Sequence, residues 1–225
     1  MELSPDIIDL YGLPGSGKTT LCLKLKTECP ETVIDFKTVW ESYWHQGFLK
    51  KMAEIPFAYL LSICWLLLIS PKLPRKEWYI YKSFFVRIMV FTHVKKTKYK
   101  VLITDNGMSQ AMVSLFYRNE SRLSNKQVKA YLKIVKNFDN YHRVYCYMPV
   151  SRCLERIRIR NRKTGRLDLI SDDRELENAL RIQSGFLQEM NKMLSRLKIE
   201  YHTINMNCDI DDIIHYVQDK ILYSI

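Results

Sequence analysis

The stretch "GLPGSGKTT", Gly12 to Thr20, decides how the rest of the chain is read. Gly12, Gly17, Lys18 and Thr19 satisfy the spacing G-x-x-x-x-G-K-[ST] in full. Each residue type has a physical task. Glycines let the backbone wrap closely, so that successive N–H groups converge on phosphate oxygens. A helix that starts at the end of the loop adds the partial positive charge of its N-terminus. The lysine is a mobile point charge for the outer phosphates, and the threonine hydroxyl can ligate Mg²⁺. The motif predicts that Gly12, Pro14, Gly15, Ser16, Gly17, Lys18, Thr19 and Thr20 cradle the phosphates of a nucleotide.

The flanks agree with that reading. "DIIDLYG" predicts a strand running into the loop, and "TTLCLKLKTEC" a helix leaving it, with Leu21, Leu25 and Cys29 on one face. Four further strands are expected: "ETVIDF", "YKVLITDNG", "HRVYCYM" and "IEYHTINM". Helical patterns separate them, which implies parallel pairing through right-handed crossovers. The expected fold is α/β, a five-stranded parallel sheet with helices on both faces. Asp9 fits a buried central strand poorly.

Between the second and third strands lies a helical insert, about residues 39–98. Its first helix is expected from Val39 to Met52. Its second is "FAYLLSICWLLLIS", bounded by Pro56 and Pro71. Its third runs from about Arg75 to Lys95, with Trp78, Tyr81, Phe85, Ile88 and Met89 at helical spacing. The apolar run Phe57 to Ile69 is too short to span a bilayer, which takes about 20 residues, and reads as a buried core helix. Further on, Ser124 with Gln127 forms a capping box for a helix through Val128, Tyr131, Leu132 and Val135. Asp172 with Glu175 caps a long helix, and Asp209 begins the last one.

Three groups outside the loop are candidates for chemistry. Asp105 ends the third strand, at the carboxyl edge where ligands gather on such sheets. It can hold Mg²⁺ with Thr19, or act as a base toward an acceptor. Asp35 ends the second strand and is an alternative base; a strand-end aspartate that caps the next helix is the bland reading. "ERIRIRNRKTGR" concentrates Arg156, Arg158, Arg160, Arg162, Lys163 and Arg166, with Arg156 and Arg160 on one helical face. Guanidinium groups in a closing lid, about residues 156–170, can neutralise the charge that spreads over a phosphoryl group in transfer and exclude water from it.

The 225 residues suit one domain. With 35 Lys+Arg against 24 Asp+Glu, the net charge is +11, which favours anionic partners. The six cysteines, Cys22, Cys29, Cys64, Cys146, Cys153 and Cys208, are scattered without a C-x-x-C pair. This argues against disulfides and zinc and for a reducing, cytoplasmic setting. The acidic start "MELSPDIIDLYG" lacks the apolar core of a signal peptide.

The order of parts resembles the nucleoside and nucleotide kinases of the P-loop superfamily, most closely the thymidylate-kinase-like group. The likeness rests on "GLPGSGKTT", "VLITDNG" and "MPVSRCLERIRIRNR". "TDNGMSQAMVSLF" is also similar to bacterial kinase-like proteins with Asp-x-Gly at this point. The resemblance implies a three-layer α/β/α P-loop NTPase fold with an arginine-rich lid, and transfer of the γ-phosphate of ATP to a small acceptor: a nucleoside, a nucleotide or a sugar-like molecule. It implies ATP and Mg²⁺ as cofactors. Lys18, Asp105, Arg156, Arg160 and Asp35 would be catalytic, Arg162 would join the loop in binding ATP, and Thr19 with Asp105 would hold the metal. Where thymidylate kinases usually have Arg after the third-strand Asp, this chain has Asn106-Gly107. The other readings are an ATP-binding regulatory NTPase and a basic module for nucleic acid or a membrane surface. Nucleic acid is the disfavoured partner; peripheral membrane contact and a homodimer stay open.

Overall fold

Every residue of Asp6–Tyr11 is buried. A strand with that pattern needs cover on both faces and neighbours on both edges. The computed structural model supplies both. It describes residues 5–44, 78–94, 97–116, 125–136, 138, 140–160 and 167–222, together with Leu61, Cys64 and Leu68. Strand β1 (Asp6–Tyr11) pairs with β3 (Val101–Thr104) on one side and β4 (Tyr141–Tyr147) on the other. β2 (Val33–Asp35) and β5 (His202–Asn205) complete the order β2-β3-β1-β4-β5, parallel throughout. The expected five-stranded parallel sheet is thus the observed one.

Parallel neighbours require crossovers, and the helices provide them. α1 (Lys18–Glu28) buries Leu21, Cys22 and Leu25. α2 (Phe36–Trp44) starts directly after β2, three residues before the expected Val39, and α3 (Tyr79–Val94) returns the chain toward β3. α4 (Met108–Phe116) and α5 (Asn125–Val135) lead to β4. α6 (Val150–Ile159) and α7 (Asp173–Arg196) pack together before β5. α8 (Ile210–Val217) closes the fold with a π-helical turn, Gln218–Leu222. The Asp172 side chain accepts from Glu175 N at 2.7 Å and that of Asp209 from Asp211 N at 2.8 Å. Both expected caps are therefore present. The Ser124 half of the other expected cap lies outside the described residues.

The insert departs from expectation in two ways. α3 buries Phe84, Ile88 and Phe91, whereas Trp78 stands ahead of the helix and is 55% exposed. Of the anticipated stripe, Ile88 and Met89 are buried and Tyr81 and Phe85 pack half-buried against the core, so only Trp78 departs from it. Within "FAYLLSICWLLLIS", the described residues Leu61, Cys64 and Leu68 are exposed, not buried. Their i, i+3, i+7 spacing places them on one helical face, so that face is turned to solvent. Among the described residues no helix is long and apolar enough to cross a membrane.

Asp9 finds its explanation one strand away. It is fully buried, and its Oδ2 accepts from Ser109 N at 2.7 Å and from the Tyr141 hydroxyl. Ser109 is the second residue of α4, so Asp9 caps that helix from the neighbouring strand. The fit is close. A Cβ on Gly107 would run into the Asp9 carboxylate, which explains glycine in "DNG". Around it, Ser109 Oγ meets Tyr131 OH at 2.7 Å, and the Arg143 guanidinium lies 5.0 Å from the Tyr141 ring centre.

Burial pushes the Asp9 carboxyl above the usual carboxylate range, although Tyr141, Ser109 and Arg143 all pull it down. The ordinary value is about 3.9. Between that and the raised value, the folded chain holds a proton that the unfolded chain has released. Stability therefore falls as pH rises through that window. Denaturant titrations across it are expected to show this slope in the wild type and a flatter one in Asp9→Asn. Equal slopes would contradict the assignment.

Candidate active site

Five strand ends point the same way, and the glycine loop lies across them. Gly12 leaves β1 at φ 152°, and a Cβ there would come within 2.5 Å of the Cys146 carbonyl oxygen on β4. Only glycine lets the loop approach β4 this closely. Its N–H donates to Gln110 Oε1 on α4 at 3.1 Å. Gly17 caps α1 in the left-handed conformation at φ 94°, which aims the first turn of the helix into the loop.

Lys18 folds back over this cradle. Its Nζ donates to Leu13 O at 2.8 Å, Gly12 O at 3.1 Å and Ser16 Oγ at 3.3 Å. These acceptors hold the ammonium within the loop, and desolvation lowers its pKa. Beside it, the Thr19 hydroxyl donates to Asp105 Oδ2. This contact joins the first turn of α1 to the end of β3. A hydroxyl and a carboxylate side by side are hard oxygen donors, and they fit Mg²⁺. Cys146 and Cys153, beneath the loop, are not nucleophiles at neutral pH, because burial pushes their thiols up to about 12 and about 11.

A cavity of about 840 Å³ opens over the loop. Gly17, Lys18, Thr19 and Asp105 form its floor. Arg156 and Arg160, one turn apart on and just beyond α6, form one wall. The Arg156 guanidinium lies beside Gly17, 3.3 Å from where a Cβ would stand. Arg160 pairs with the buried carboxylate of Asp168, which also lines the cavity. Leu23, Met206, Ile210 and Ile213 make an apolar flank between α1, the end of β5 and α8. Polyphosphate and a flat apolar ring are the ligand parts that such a cavity accommodates.

The structure thus brings together Pro14, Gly15, Gly17, Lys18, Thr19, Thr20, Asp105, Arg156 and Arg160 in one cavity. Gly12 and buried Ser16 support it from below. Arg158 points elsewhere: it binds Asp173 Oδ1 at 2.6 Å, Ile170 O at 2.8 Å and Ser171 O at 3.1 Å, and so anchors α6 to the start of α7. Arg162, Lys163 and Arg166, in the tip of the expected lid, lie outside the described residues. Asp35 is not among the cavity's lining residues. It ends β2 opposite Ile103, two residues short of Asp105 on the adjacent strand. Its carboxylate takes Lys26 Nζ at 2.8 Å and the backbone N–H of Thr38 at 3.4 Å. Burial raises its pKa, but Lys26 and Thr38 outweigh that and leave it lowered. Sequence reading missed Gln110, Asn106, Asp168 and the apolar flank. Only the position of Met206 and Cys208, just past a strand's carboxyl end, carried a signal.

Solved structures share this architecture. The deoxyadenosine kinase from M. mycoides with products dCMP and a flexible dCDP bound aligns over 97% of this chain and 100% of its own, at 16% identity and a TM-score of 0.53. The same enzyme with bound dATP aligns over 96% and 99%, at 12% identity and a TM-score of 0.50. The likeness establishes the fold, an α/β fold with a parallel sheet and a phosphate-binding-type glycine loop, which this chain shares with that kinase. No family model matches the sequence, and no curated protein matches it.

Arg156 and Arg158 are two residues apart with opposite tasks, which makes a controlled pair. Arg156→Ala is expected to weaken binding of a non-hydrolysable ATP analogue about ten- to a hundredfold, the range for one lost charge-assisted hydrogen bond. Arg158→Ala is expected to lower the melting temperature and leave that affinity within about threefold. Calorimetric titration and thermal denaturation of both variants check this.

Proposed function

We propose that the protein is an ATP-dependent kinase that transfers the γ-phosphate of ATP to a nucleoside- or nucleotide-class acceptor. One observation carries the reading. Arg156 and Arg160 line the same cavity as the glycine loop and the Thr19–Asp105 pair. Binding a nucleotide needs only the loop. Arginines in the same cavity add what transfer needs, positive charge that can neutralise the moving phosphoryl group. The net charge of +11 suits polyphosphate ligands. The fold shared with a deoxyadenosine kinase directs the choice of acceptor class.

In this reading the loop N–H groups and Lys18 hold the β- and γ-phosphates in line with the acceptor. Lys18 exchanges the carbonyls of Gly12 and Leu13 for phosphate oxygens. Thr19 and Asp105 would hold Mg²⁺, which supplies charge neutralisation between the outer phosphates when bound. The acceptor's oxygen attacks the γ-phosphorus; the new P–O bond forms as the bond to the β–γ bridging oxygen breaks, and ADP leaves. Where the acceptor is a hydroxyl, Asp35 on the neighbouring strand end, outside the lining of the phosphate cavity, takes its proton on exchanging Lys26 Nζ for that hydroxyl. Arg156 and Arg160 neutralise the equatorial oxygens.

The purified protein with ATP, Mg²⁺ and a panel of deoxynucleosides and nucleoside monophosphates is expected to yield a phosphorylated acceptor. Lys18→Ala should abolish both ATP binding and product. Asp35→Asn should cut kcat by about a hundredfold or more while ATP affinity holds. Release of inorganic phosphate with no labelled acceptor across the panel would sink the kinase reading.

A further inference from the structure

Asn106 is the residue whose surroundings say more than its position. It follows Asp105 directly, is exposed, and lines the phosphate cavity. Behind it stands Arg87, 5% exposed, brought in by α3 from the insert. Arg87 Nε donates to the Asn106 carbonyl at 2.5 Å, and its Nη2 donates to Asn106 Oδ1 at 2.6 Å. The backbone N–H of Asn106 donates to Thr104 Oγ1 at 3.2 Å. Burial lowers the pKa of the guanidinium to about 10, against the pull of the Asp9 and Asp105 carboxylates.

This arrangement decides which way the Asn106 amide faces. A guanidinium has five donors and no acceptor. Whatever meets it must be the amide oxygen, so the flip is dictated by chemistry. With Oδ1 turned back to Arg87, the Nδ2 group is the free end. Among the described residues it donates to none. An asparagine that otherwise could offer either an acceptor or a donor is thereby committed to offering two N–H donors, next to Asp105, in the cavity.

We propose that Asn106 is a substrate-contacting residue whose Nδ2 donates to a phosphoryl oxygen, and that Arg87 is the positioning residue that orients it. The ligand chemistry is an anionic phosphoryl oxygen. It comes either from the γ-phosphate of the donor or from a phosphate carried by the acceptor. A donor is needed at this point because Asp105 is acceptor-only and repels phosphate unless cationic or N–H groups stand beside it. The placement also ties the insert to the reaction, since α3 supplies the residue that sets the amide. This inference rests on the kinase reading above.

Two substitutions separate the roles. Asn106→Asp keeps oxygen acceptors for Arg87 but has no N–H to offer. Asn106→Leu removes both. If Asn106 serves only to receive Arg87, the aspartate variant loses only what its added charge repels, a loss that about 0.5 M salt screens away, and only the leucine variant fails at that salt. If it contacts phosphate, both lose affinity, while melting temperature falls for leucine alone. We expect Asn106→Asp to weaken binding by about ten- to a hundredfold at an unchanged melting temperature. Calorimetric titration uses two probes, a non-hydrolysable ATP analogue with Mg²⁺ and dAMP. Loss confined to the first assigns the contact to the donor's phosphate, and loss confined to the second to the acceptor's. Arg87→Met, which leaves the amide free to turn, should give an intermediate loss on the same probe. Wild-type affinity of Asn106→Asp for both probes at about 0.5 M salt, where the added charge is screened, overturns the proposal and leaves the kinase reading standing. A wild-type chain that binds neither probe overturns both.

Discussion

The ammonium of Lys18 is the charge around which this site is organised. It is half-buried, its pKa is lowered by desolvation, and its partners are Gly12 O, Leu13 O and Ser16 Oγ of its own loop. A cation in such a position is costly unless oxygens surround it. The loop provides them by closing on itself. A triphosphate provides better ones, because an anionic oxygen binds an ammonium more strongly than a carbonyl does. In the proposed function the loop holds its lysine ready for that exchange, and the exchange would make the cavity selective for phosphate.

Closing the loop that tightly constrains its surroundings. Gly12 has to touch the Cys146 carbonyl, so β4 must run beside β1. Gln110 must reach back from α4 to satisfy the Gly12 N–H, so α4 must begin where it does. Asp9 fixes that beginning by capping Ser109, and Gly107 gives way to it. Arg87 then fastens the turn from the insert side. Asp105 sits within this turn, and its orientation toward Thr19 depends on all of these contacts. A buried polar network under the sheet's edge thus shapes the cavity although none of Asp9, Tyr141 or Arg87 is among its lining residues.

The strands and their parallel order were legible because short apolar runs alternated with helical periods, and because the glycine loop fixed which edge would hold ligand. The floor of the site was legible for the same reason: Asp105 follows a strand's carboxyl end directly, and Lys18 and Thr19 open the helix that the glycine loop leads into. Arg156 and Arg160 were separable from Arg158 by their four-residue spacing, which puts them on one helical face, but the contacts that Arg158 makes were visible only in three dimensions. The role of Asp9 could not be read from its strand, because its partners are a helix N-terminus and a tyrosine 100 and 132 residues away. Arg87 was hidden for a related reason: a single arginine in an aromatic helix carries no periodic signal, and its meaning comes from the turn it meets. The apolar insert misled, because hydrophobicity alone does not say which face is buried, and the Leu61–Leu68 face is turned to solvent.

The account's central claim is that Lys18 leaves its loop carbonyls for phosphate oxygens in a site completed by Thr19, Asp105 and the α6 arginines. A crystal structure with a non-hydrolysable ATP analogue and Mg²⁺ tests it most directly. The predicted result has Lys18 Nζ within hydrogen-bond distance of the β- and γ-phosphates, the metal on the Thr19–Asp105 side, and Arg156 and Arg160 turned to the γ-phosphate. Lys18 still bound to Gly12 O and Leu13 O, with the nucleotide seated elsewhere, would contradict it.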